Sequence, residues 1–235
     1  MSEGITELTY VCGHTKAESI GGQLNRWGVP EVTYCINGYP TNIGVSKKDT
    51  DDIVAESYRL WADVCGLKFR RVSDPNNAHM VLAGARGKRA GFDGPLGVLA
   101  YCYLPQGDNF KGQIEMYWDL DEDWTKDGNN GIRLLNVTCH ELGHGIGLDH
   151  NKYQRQLMNP TYSKAIASPQ SYDIEEAVAR YGKPVIIPVP PIDPSNPTVP
   201  TGKVYGKFLD SNGKVWGGEM KLIDVTQPQG LEYGF

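Results

Sequence analysis

The chain has 235 residues, 40% of them hydrophobic, with 23 Lys and Arg against 28 Asp and Glu, a formal charge of -5 and an isoelectric point near 5.5. That length buries a sizeable core in one domain or two, while an acidic balance with no basic stripe sets nucleic acid aside as a partner and gives no sign of an anionic membrane. No apolar run approaches a membrane span, and the opening residues 1–10 lack the basic and apolar regions of an export signal.

Cys12 is the first of five cysteines, followed by Cys35, Cys65, Cys102 and Cys139. Their odd number, wide spacing and lack of a CxxC pair exclude a disulfide framework, and apolar neighbours make most of them buried thiols. Glu31 to Ile36 mixes β-branched and aromatic residues as a strand does. A helix follows, capped by Ser46 or Thr50, with Ile53, Ser57, Leu60, Trp61 and Val64 at helical spacing until Gly66. Lys68 to Val72, His79 to Ala83, Gly97 to Leu104 and Gln113 to Trp118 read as further strands. A second helix is expected from Ile132 to Gly145. A third runs from Tyr172 to Tyr181, with Ser171 as N-cap and Gly182 past its end; its stripe of Ile174, Ala177, Val178 and Tyr181 reads as core. From Pro184 to Pro200 seven prolines fall in seventeen residues, the composition of an extended linker. Beyond it, Asn212-Gly213 signals a hairpin between short apolar runs, so residues 201–235 read as a short β segment or the start of a larger module.

The chemistry is concentrated in His140-Glu141-Leu142-Gly143-His144-Gly145-Ile146-Gly147-Leu148-Asp149-His150. Two imidazoles at i and i+4 share one helix face and can bind one Zn²⁺. Gly147 can adopt backbone angles closed to other residues, which lets the helix stop and the chain return, and His150 then arrives as third ligand. Three protein ligands leave a fourth position open for water, the mark of a catalytic rather than a structural zinc. Glu141, next to the first ligand, is placed to act on that metal-bound water. The chain holds five histidines, three of them here, so an incidental pattern is a poor account. A rival from another class is a zinc-holding scaffold for binding or assembly; the intact Glu141 argues against it, since a scaffold needs no general base.

With the third histidine in place, the chain resembles the metzincin metallopeptidases, and within them the matrixins (matrix metalloproteinase-like catalytic domains). Leu148-Asp149-His150 has the matrixin form of the third-ligand corner, Met158 falls at the spacing of the methionine turn beneath the metal, and Pro160-Thr161-Tyr162 matches the outer wall of the S1′ pocket. Upstream, Trp27 with Val32-Thr33-Tyr34, Phe92-Asp93-Gly94 and Gly97 to Pro105 look like the first strand, the loop before the edge strand, and that strand. The resemblance implies an α+β zincin-like domain with a twisted mixed sheet and three helices over 27–182, after an N-terminal segment 1–26 that is a pro-segment candidate, and before a proline-rich linker 183–200 and the β segment 201–235. It implies zinc-dependent endopeptidase activity on a protein or peptide bound as an extended strand, and an extracellular site of action. It further implies a calcium ion held by Asp93, Asp119 and Glu122. Arg86, Lys88, Tyr101 and Tyr117 stand where matrixins hold a second, structural zinc; none is a plausible ligand, so one zinc is expected. Cys12-Gly13 lies where matrixin zymogens carry an inhibitory cysteine that ligates the zinc, though the flanking Pro-Arg and Pro-Asp are lacking.

Overall fold

The computed structural model describes Cys12 and residues 24–41, 44–88 and 91–185. Most of the linker, the C-terminal β segment with its Asn212-Gly213 turn, and most of the N-terminal segment lie outside the described residues. Five strands form a mixed sheet in the order β2-β1-β3-β5-β4. β1 (Glu31–Ile36) lies parallel to β2 (Lys68–Arg71) and β3 (Met80–Ala85), β3 is parallel to β5 (Ile114–Asp119), and β4 (Ala100–Cys102) runs antiparallel to β5 at the edge. Three helices complete an α+β domain: α1 (Lys47–Ala62), α2 (Leu134–Gly145) and α3 (Ser171–Tyr181). Period-2 alternation sends Val32, Tyr34, Ile36, Met80, Leu82, Met116 and Trp118 into the main core, while Cys35, Val81 and Ala78 form a small cluster with Val72.

The cap of α1 is Ser46, not Thr50: its hydroxyl accepts from Asp49 N–H at 3.1 Å and the Asp49 carboxylate accepts from Ser46 N–H at 3.2 Å, a reciprocal capping box. Two helix starts differ from expectation. Ile132–Arg133 is a strand, β7, paired with Trp124–Thr125 (β6), so α2 begins only at Leu134. Gln170, not Ser171, caps α3, because the Asp173 carboxylate reaches back to Gln170 N–H at 2.9 Å. The edge strand is shorter than Gly97 to Leu104, since Leu96 and Gly97 take positive φ of 68° and 145°; ladder bonds still continue at Leu99 and Tyr103.

Helix α2 is buried on every side from Asn136 to Gly145, the condition of a core helix. Indole donors pin it: Trp61 Nε1 to Cys139 O at 2.8 Å, Trp27 Nε1 to Gly145 O at 2.7 Å and Trp118 Nε1 to Thr138 Oγ1 at 3.0 Å. Gly143 permits a close approach from below, for a Cβ there would collide with Met158 Sδ. Cys35, Cys65, Cys102 and Cys139 are buried and Cys12 is half-buried; all five are free thiols, as their spacing suggested.

Candidate metal centre

His140 and His144 leave the same face of α2 one turn apart, and the chain turns at Gly147, whose φ is +93° and whose missing Cβ leaves room for the Asn25 carbonyl. That reversal brings His150 back, with its Nε2 at 3.3 Å from His140 Nε2 and 3.2 Å from His144 Nε2. His140 Nδ1 donates to Leu157 O at 2.6 Å and His144 Nδ1 to Leu148 O at 2.7 Å. A carbonyl only accepts, so each of these Nδ1 atoms carries the proton and each Nε2 presents a lone pair to the centre. Nitrogens about 2.0–2.1 Å from a tetrahedral zinc stand about 3.3–3.4 Å apart, so the donor set fits that ion. Met158, 1% exposed, lies under α2.

Cys12 joins this group: its Sγ is 3.5 Å from His144 Nε2, and its N–H donates to Pro160 O at 3.2 Å. Among the described residues, Cys12, His140, His144 and His150 are the set of such side chains whose ligand atoms all lie within 4.8 Å of one another. Glu141 is 1% exposed and its Oε2 has no hydrogen-bond partner among the described residues. Burial pushes its carboxyl up to about 8, partly offset by a hydrogen bond from Cys12.

Beside the histidines opens a pocket lined by Leu99, Val137, Pro160, Thr161, Tyr162 and Ile166. The Tyr162 hydroxyl accepts from Arg133 N–H at 3.1 Å, fixing the wall to the start of α2. Asn136, which the sequence reading did not single out, also lines it and donates Nδ2 to Ser163 O at 2.8 Å and Lys164 O at 3.0 Å. Equally unforeseen is Asp173, fully buried, which accepts from Leu157 N at 2.7 Å, Met158 N at 3.2 Å and Asn151 Nδ2 at 3.1 Å. The capping-box spacing from Gln170 to Asp173 could have pointed to it.

Asp93, Asp119 and Glu122 gather near one loop but do not converge as tightly as the histidines. Asp93 Oδ1 accepts from Val98 N–H at 3.1 Å, Glu122 Oε1 from Leu96 N–H at 2.8 Å and Asp119 Oδ1 from Asp121 N–H at 2.8 Å. Burial, with the Asp93 charge added, raises Asp119 to about 6. Burial, followed by the charges of Asp119, Asp93 and Asp123, raises Glu122 to about 7 despite the Leu96 bond. Of the four residues expected to replace a second zinc site, Tyr101 and Tyr117 face each other across β4 and β5 with ring centroids 5.4 Å apart, and Arg86 pairs with Asp121.

The family model described as Matrixin matches residues 26–182. The chain is 34% identical over 198 residues to matrix metalloproteinase-27 of Homo sapiens, an alignment covering 80% of this chain and 36% of that protein. It is 33% identical over 199 residues to interstitial collagenase B of Mus musculus, covering 81% and 40%, and 35% identical over 184 residues to interstitial collagenase of Oryctolagus cuniculus, covering 76% and 37%. The chain thus spans between 36% and 40% of the length of these relatives.

Proposed function

Because the chain belongs to the matrixin family, we propose that it is a zinc-dependent endopeptidase whose metal is held by His140, His144 and His150. The convergence of two Nδ1-protonated imidazoles and His150 at 3.2–3.3 Å carries this reading. When bound, zinc supplies a Lewis acid that acidifies water and polarises a carbonyl. Glu141 takes the proton of the attacking water and returns it to the leaving amine; burial that raises its carboxyl to about 8 suits a group that must both accept and give a proton near neutrality. Its Oε2 is buried with no hydrogen-bond partner among the described residues, a condition that favours a proton-transfer role over a binding scaffold. Met158 supports the ligands from below. The substrate is an extended peptide laid along the free edge of β4, with its P1′ side chain beside Pro160, Thr161 and Tyr162. Calcium held by Asp93, Asp119 and Glu122 would offset the burial and the mutual repulsion that lift two of them, oxygen donors suiting that ion.

Cys12 is the inhibitory thiol of a latent form, and residues 1–26 are its pro-segment; the Sγ contact with His144 and the bond to Pro160 O support this, for both occupy places a substrate needs. Residues 183–200 link domain 27–182 to the segment 201–235. The full chain with Cys12→Ala is expected to cut casein without activation, whereas the wild type needs a thiol-modifying reagent. Cleavage stops with a chelator and returns with zinc, and Glu141→Ala lowers it by about 10²–10⁴-fold while zinc content stays at one per chain. Cleavage that survives Glu141→Ala would exclude this mechanism.

A further inference from the structure

Two successive carbonyls at the end of α2 are capped by side chains from opposite ends of the domain. Trp27 Nε1 donates to Gly145 O at 2.7 Å, and the hydroxyl of Tyr181, the last residue of α3, donates to Ile146 O at 2.8 Å. The two caps are themselves joined, for Trp27 N–H donates to the Tyr181 hydroxyl at 3.1 Å. The backbone on either side of Trp27 is held in turn by Arg26 N–H to Gly107 O at 2.8 Å and Gly28 N–H to Phe110 O at 2.7 Å. Carbonyls at a helix end have no partner within the helix, so these donors hold the point at which α2 stops.

Ile146 O belongs to the peptide that leads into Gly147. The other polar group of that peptide, Gly147 N–H, donates to His144 O at 2.7 Å, and the next bond of the turn, Leu148 N–H to Gly143 O at 3.0 Å, likewise runs back to α2. Glycine takes either sign of φ about equally well, so nothing in Gly147 itself enforces its φ of +93°. Rotation of the Ile146–Gly147 peptide is therefore the soft motion of the turn, and it would redirect the chain that returns with His150. His144 O holds one end of this peptide and the Tyr181 hydroxyl holds the other.

We propose that Tyr181 is a positioning residue of the metal centre: its hydroxyl sets the Ile146–Gly147 peptide and, through it, the approach of His150 to the zinc. The inference rests on the three-histidine site of the proposed peptidase and adds to it a residue that acts only through His150. The Tyr181 ring packs against the main core, so Tyr181→Phe keeps the packing and removes the hydroxyl alone.

The test uses the full chain with Cys12→Ala, so that the thiol does not compete for the metal. Zinc Kd, measured by competition with chromogenic chelators, is expected to rise about tenfold in Tyr181→Phe, the low end of what outer partners of metal ligands contribute. The cobalt-loaded variant should show altered visible absorption bands, which report ligand geometry, and the rise in Tm on adding zinc should shrink. In a His150→Ala background the same substitution should change zinc Kd by less than about twofold, because the two residues act along one route. A purely structural hydroxyl would lower Tm equally with zinc and with chelator and leave Kd and the cobalt bands unchanged. That result, an equal loss of affinity with and without His150, or a Tyr181→Phe chain that does not fold, would overturn the proposal alone. Zinc Kd unchanged by His150→Ala itself would end the three-histidine site and this proposal with it. Zinc binding that depends on both residues, without cleavage of casein, would uphold Tyr181 and end the peptidase reading.

Discussion

Asp173→Ala tests how the metal centre is supported. The Asp173 carboxylate is fully buried and takes four hydrogen bonds, from Leu157 N–H, Met158 N–H, Gln170 N–H and the Asn151 amide. Two of these donors, on Leu157 and Met158, are themselves buried. Each orphaned buried donor costs about 1–3 kcal/mol, and loss of a cap about 1 kcal/mol more, so the two donors and the cap together amount to a destabilisation of about 3–7 kcal/mol. For a folded part of this size that lowers Tm by at least about 6 °C, at about 2–4 °C per kcal/mol. The effect reaches the metal because Leu157 also supplies the carbonyl that orients His140 Nδ1 at 2.6 Å. Losing such outer support weakens metal affinity by about 10–100-fold. Thermal unfolding followed by circular dichroism, with excess chelator and with zinc, measures the first quantity; competition against a chromogenic chelator measures the second. Glu175→Ala, on the exposed side of the same helix, serves as control and should move stability by less than about 0.5 kcal/mol. A Tm within a few degrees of wild type together with unchanged zinc affinity would refute the idea that Asp173 braces the turn under the metal.

Calcium should stabilise the protein in a pH-dependent way. Asp119 at about 6 and Glu122 at about 7 lie above ordinary carboxylate values, so the cation-free folded state binds these protons more tightly than the unfolded chain. Its stability is then greatest at acid pH with respect to these groups and falls as pH rises from about 4 to about 7. Added calcium should raise Tm more at pH 8 than at pH 5, and an equal rise at both would contradict the assignment. Gly147→Ala forces a side chain into the positive-φ turn and against the Asn25 carbonyl. Metal analysis should find less than one zinc per chain in that variant, with Tm lowered; full zinc content would show that His150 does not depend on this turn.

Much of the site was legible because its geometry is local. His140 and His144 need only helical periodicity, and the reversal at Gly147 needs only a residue that tolerates φ of +93°. The four cysteines away from the metal declared their burial by apolar neighbours. What stayed hidden depends on contacts between distant segments. Ile132 and Arg133 look helical in sequence but are drawn into β7 by pairing with Trp124–Thr125. Asn136 reads as an ordinary helix residue until Ser163 and Lys164, 27 and 28 positions on, take its hydrogens. Cys12 lacks the neighbours that would have marked it, and its position is set by His144 and Pro160, far along the chain.

The way α2 is held separates scaffold from chemistry. Its buried indole bonds fall at Thr138, Cys139 and Gly145, between and around the histidines but on none of them. The Nδ1 bonds to Leu157 and Leu148 orient His140 and His144 without using the nitrogens that face the centre. Three imidazoles, a thiol and a buried carboxyl are therefore gathered by groups that have no part in the reaction. Such a gathering has a cost of its own, since burial strips Glu141 of water. The surrounding bonds to the helix and to the two Nδ1 atoms hold it in place. Rigidity is thus supplied by the tryptophans, the Leu157 carbonyl and Asp173, which hold the helix and the ring orientations rather than the nitrogens that face the centre.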